Sequence, residues 1–104
     1  MKDAIDLYHT MTTKIPIETK QGVYTVPASS IIVVEAIARK VIVHTTQRDF
    51  ESTHNMQYWI DLLPKNCFFQ THRSFIINFE HVTDFDHMLV YMTPQRFRAY
   101  LAKR

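Results

Sequence analysis

Between two short apolar pieces, Cys67-Phe68-Phe69 and Phe75-Ile76-Ile77, the chain carries Gln70-Thr71-His72-Arg73-Ser74, a compact polar knot built around one long cation. A guanidinium projecting from a rigid frame offers a planar fork of donors that suits a phosphate or the O6 and N7 edge of guanine. The same side chain in the same place also suits an ordinary ion pair with a surface carboxylate, and spacing alone does not separate the two readings. A second concentration of cations lies in 95–104, where Arg96, Arg98, Lys103 and Arg104 occur without an acid, while Asp84 and Asp86 precede them. Net charge is only +2, from 12 Lys+Arg against 10 Asp+Glu, so the distribution rather than the total points toward an anionic partner.

Other chemistries find less to work with. Six histidines occur, His9, His44, His54, His72, His81 and His87, yet no H-E-x-x-H is present and the single Cys67 lacks a CxxC partner. A bound metal is therefore not expected. His72 reads as an orienting residue, bonded to backbone so that Arg73 is presented, and His44 at a strand end reads as structural. Ser74 and His72 are neighbours in sequence, but a nucleophile and its base must be brought together by the fold, and nothing suggests an oxyanion hole. With Gly22 the only glycine, there is no phosphate-cradling loop. The expectation is a protein that is not an enzyme, with no cofactor and no small-molecule substrate.

The elements that must position these residues are mostly strands. Val23-Tyr24-Thr25-Val26, Ile31-Ile32-Val33-Val34, Val41-Ile42-Val43-His44-Thr45 and Leu89-Val90-Tyr91-Met92 are rich in β-branched and aromatic residues. Lys14 to Thr19 alternates polar and apolar with Pro16 inside it, which marks an edge strand, and Gln21-Gly22 reads as the turn out of it. One segment departs from this pattern. Met56, Trp59, Ile60 and Leu63 follow the spacing of an amphipathic helix from about Asn55 to Leu63, capped by Thr53 or Asn55 and stopped by Pro64. Its apolar stripe reads as core.

Composition agrees with one folded domain. At 104 residues with 46% hydrophobic content the chain can bury a core without cross-links, and with one Gly and four Pro it shows no linker. A single cysteine fits a reducing, cytoplasmic compartment. No apolar run approaches the roughly 20 residues needed to span a bilayer, so no membrane partner is expected.

The order of these pieces resembles the LytTR DNA-binding domain of bacterial response regulators. A strand ending in Glu35, a strand ending in His44, the short helix with Pro64, and then Phe69-x-x-His72-Arg73-Ser74-Phe75-Ile76-Ile77-Asn78 with Val82 beyond carry the resemblance. It covers residues 14–104 as the domain, with 1–13 as an N-terminal extension, and the His-Arg-Ser-Phe-Ile-Ile-Asn string is its most specific part. The resemblance implies a mainly β fold, an elongated β-sandwich-like arrangement of small antiparallel sheets with one short helix. It further implies a transcriptional regulator, of the kind found in two-component systems, that contacts successive major grooves through loops. Three places match those loops: the connection 36–40, the His72-Arg73-Ser74 knot, and the basic stretch ending at Lys103-Arg104. The DNA-binding residues implied are Arg39, Lys40, Arg73, Ser74, Arg98, Lys103 and Arg104. The partner is then double-stranded promoter DNA carrying direct repeats, with a possible second copy beside the first.

Two departures from the family pattern stand out: the 36–40 connection is short, and Ala102 replaces a frequent serine. A rival class is a β-rich protein-interaction module that inhibits another regulator without touching DNA. DNA binding requires Arg39, Lys40, Arg73 and Arg104 to share one face, whereas protein docking calls for an exposed apolar patch.

Overall fold

A computed structural model of the chain describes residues 13–85, 89–92 and 98–100, with side chains through Asp84. Among these residues ten strands form three antiparallel sheets. β1 (Lys14–Thr19) and β2 (Gly22–Pro27) make a hairpin. β3 (Ile31–Ile37), β4 (Lys40–Thr45), β5 (Asp49–Ser52), β6 (Phe68–His72) and β7 (Phe75–Asn78) make the central sheet in the order β5-β4-β3-β7-β6. β8 (Val82–Phe85), β9 (Leu89–Met92) and β10 (Arg98–Tyr100) make the third, in the order β10-β9-β8. The single α-helix described, α1 (Met56–Leu62), lies between β5 and β6.

Local chemistry accounts for most boundaries. β1 buries Ile15 and Ile17 and exposes Lys14, Pro16 and Glu18, so the proline sits on a strand paired on one side only. Gly22 opens β2 at φ 148°, a backbone that L side chains rarely adopt. Of the two candidate caps, Asn55 starts the helix, its Oδ1 accepting from the Tyr58 N–H at 2.9 Å, and Pro64 follows the last turn. Sequence reading missed three strands. β5 is short and half acidic, β8 holds only Val82-Thr83-Asp84-Phe85, and β10 lies in the basic stretch matched above to a contacting loop.

The central sheet is covered on both faces. Val34, Val41, Val43 and Ile76 join Ile15, Ile17, Phe50, Trp59 and Leu63 in the main core under the β1–β2 hairpin and α1. On the other face Ile32, Val33, Phe75 and Ile77 pack with Val82 of β8. A strand buried on both sides loses its alternation, which is why Ile31 to Val34 and Phe75 to Asn78 are continuously buried. Trp59 is fully buried and its indole N–H donates to Ser52 Oγ at 2.9 Å, locking the helix to the end of β5.

Candidate nucleic-acid interface

Two hairpins turn at the same end of the central sheet. β3 pairs with β7 in antiparallel register, Glu35 opposite Phe75, and beyond that pair the Ala36 N–H donates to the Ser74 carbonyl at 2.9 Å. The β3–β4 turn is therefore held beside the β6–β7 turn. The connection expected over 36–40 proves tighter than a loop. Ala36 and Ile37 belong to β3, Lys40 opens β4, and only Ala38 and Arg39 make the turn. Both have positive φ, 50° and 64°. Such two-residue turns match strand twist but normally require Asn or Gly, so this turn carries no local sequence signal.

The second turn is Arg73-Ser74, with His72 ending β6. A bulge between Gln70 and His72 adds one residue to β6 opposite β7 and re-aims the strand as it reaches the tip. The Ser74 N–H donates to His72 Nδ1 at 3.1 Å, and the ring leans on Phe75 with centroids 5.9 Å apart. His72 thus holds the turn from below while Arg73 is exposed. Arg39 and Lys40 are exposed on the neighbouring tip, and Ser74 is half-buried between the two. The Lys40 ammonium lies 3.9 Å from Glu51 of β5.

Of the expected site residues, the fold brings Arg39, Lys40, Arg73 and Ser74 to one edge. Arg98 lies in β10, opposite Tyr91, and β10 runs beside β6 and β7; its side chain, with Lys103 and Arg104, falls outside the described residues.

The remaining polar residues have structural work. Asn78 is fully buried; its Nδ2 donates to the Ile31 carbonyl at 2.9 Å and its Oδ1 accepts from the Glu80 N–H at 3.0 Å. His44 lies across three strands between Glu35 and Asp49, each 2.9 Å from a ring nitrogen. His54 stacks on Tyr58 at 3.7 Å, and His81 bonds the Ser29 carbonyl at 2.7 Å. Among the described residues no group of His, Cys, Asp and Glu converges on a metal position. Cys67 is buried, and burial, with a smaller push from Glu80, raises its thiol above the ordinary range and keeps it protonated. Arg48, a cation without an assigned role in the sequence reading, sits at the opposite sheet end over the rings of Tyr24 and Phe50, at 4.6 and 4.5 Å.

An apolar feature lies beside β6. Phe69 and Phe79 are exposed and meet edge to face at 5.9 Å, next to a cleft of about 270 Å³ between α1 and β6. No helix among the described residues is long and apolar enough to cross a membrane.

Comparison with known proteins places this arrangement. A family model described as the LytTr DNA-binding domain matches residues 21–104. The sensory transduction protein LytR of Staphylococcus epidermidis (strain ATCC 12228 / FDA PCI 1200) is 26% identical over 89 residues, which are 86% of this chain and 35% of that protein. The protein of the same name from Staphylococcus haemolyticus (strain JCSC1435) is 28% identical over 79 residues, 76% of this chain and 31% of its own length. The chain thus spans about a third of the length of the curated relatives it matches. Among solved structures, the LytTr DNA-binding domain of a methyl-accepting/DNA response regulator from Bacillus cereus superposes with a TM-score of 0.75 at 27% identity, covering 86% of each chain.

Proposed function

The chain belongs to the LytTr DNA-binding domain family, and on that footing we propose that it is the sequence-reading module of a cytoplasmic transcriptional regulator. The observation that carries the reading is the Ala36–Ser74 bond, which joins two hairpin tips bearing Arg39, Lys40 and Arg73 into one basic edge. Its chemistry is non-covalent. Arg73, exposed on a turn pinned by His72, reads a base edge in the major groove, and Ser74 supplies a hydroxyl beside it. Arg39 and Lys40 meet phosphates of the neighbouring groove, while Arg98, Lys103 and Arg104 extend the contact along the duplex. Two copies on direct repeats would then recruit or obstruct polymerase.

Selection of bound duplexes from a random pool, across a salt titration, tests this. With about four phosphates neutralised, log affinity falls against log salt with a slope of roughly −3.6. Enrichment of a repeated motif, lost in Arg73→Ala, is the expected result. Salt-independent binding without enrichment would sink the reading. It would favour instead the protein-interaction module, for which the exposed Phe69–Phe79 pair is the supporting observation.

A further inference from the structure

One carboxylate lies on the basic edge itself. Alternation along β4 places Lys40, Ile42 and His44 on the face opposite Val41 and Val43. The β4–β5 register sets Glu51 opposite Ile42 and Asp49 opposite His44, so both acids share that face. Glu35 and Asp49 are each taken up by a nitrogen of His44 at 2.9 Å. Glu51 turns instead to Lys40, with Nζ and Oε1 3.9 Å apart and the side chains 59% and 46% exposed. A pair so long and so open holds its lysine weakly, yet it keeps a negative charge where phosphate would approach.

We propose that Glu51 is a stand-in for phosphate: it holds Lys40 in the free protein, and DNA must compete with it for that ammonium. The inference rests on the DNA-binding reading above and concerns regulation of the same edge. A cation that already faces a carboxylate adds little to the net charge of the edge, so it releases fewer counterions from the duplex when the two meet. Glu51 therefore lowers binding to any polyanion, and the base contacts of the other turn weigh more in the total. Glu51 touches no base. It is a positioning residue that acts through Lys40.

The test uses the full chain and a random-sequence duplex of fixed length, titrated across salt for wild type, Glu51→Gln, Lys40→Ala and the double variant. Asp61→Asn, which removes the same charge from α1 over the other face, serves as the control, and melting curves verify that each variant folds. Glu51→Gln is expected to tighten low-salt binding about threefold, the Coulomb effect of the released Lys40 charge roughly 6 Å from a phosphate in water. It is also expected to steepen the salt slope by up to about 0.9. Lys40→Ala should cost less low-salt binding in wild type, where Glu51 already occupies the ammonium, than in the Glu51→Gln background, and the difference between the two losses measures the coupling of the pair. Equal gains from Asp61→Asn and Glu51→Gln, or equal losses from Lys40→Ala in the wild-type and Glu51→Gln backgrounds, would overturn the inference while leaving DNA binding intact. Absence of salt-dependent binding by every variant would overturn the DNA reading and this inference with it.

Discussion

The Ala36 N–H donates to the Ser74 carbonyl at 2.9 Å, and through that bond two turns far apart in the chain become neighbours. Neither turn alone makes the basic edge proposed to meet DNA. One carries Arg39 with Lys40 beside it and the other Arg73, and their separation is set by the pairing of β3 with β7 rather than by flexible loops.

Arg73→Ala removes an exposed side chain from a turn whose backbone is held by other atoms, so the melting temperature should not move. Affinity for a selected duplex is expected to fall by about 1–3 kcal/mol, with discrimination lost at one base position. Competition binding against single-base variants of that duplex measures it. An equal loss on random DNA would reassign Arg73 to phosphate.

His72→Ala deprives the Ser74 N–H of its acceptor, whereas His72→Asn retains one near the same place. The alanine variant should lose specific binding while keeping most of its salt-dependent random binding, and the asparagine variant should recover part of the difference. The ratio of specific to random affinity is the readout. If both variants bind like wild type, His72 does not present Arg73.

Ala38 and Arg39 hold left-handed backbone without the residues that favour it. Ala38→Gly relieves the clash of Cβ with the following carbonyl but adds freedom to the unfolded chain, for a net gain of about 0.5–1 kcal/mol. Ala38→Val should lose at least as much. Urea unfolding of the three proteins compares them, and a destabilised glycine variant would mean that the turn is not strained.

Asn78 is fully buried with donors and acceptor engaged. Asn78→Leu leaves the Glu80 N–H and the Ile31 carbonyl without that partner inside the protein. The expected cost is about 2–4 kcal/mol by urea unfolding.

Cys67 titrates above its ordinary range because burial disfavours the thiolate. Its contribution to stability is complete below the thiol's unfolded-state value and is lost as pH rises through the higher folded-state value. Alkylation at pH 8 should therefore be slower in the folded chain than in urea. Equal rates would place the thiol at the surface.

The sequence by itself determined whatever is encoded over a few consecutive residues. Alternation in Lys14 to Thr19 marked β1, helical spacing from Met56 to Leu63 marked α1, its cap was narrowed to Thr53 or Asn55, and the His72 to Asn78 string carried the family resemblance. Four-residue strands with acidic residues and a single large apolar one, such as β5, left no such mark, and the Ala38-Arg39 turn hid because it lacks turn residues. Only the tertiary structure decided that β7 returns to pair with β3, so that Arg39, Lys40 and Arg73 share an edge, and that Glu51 of the missed strand faces Lys40. Those relations depend on register between segments distant in the chain. Register is selected by the burial of whole faces, and no local run of side chains specifies it.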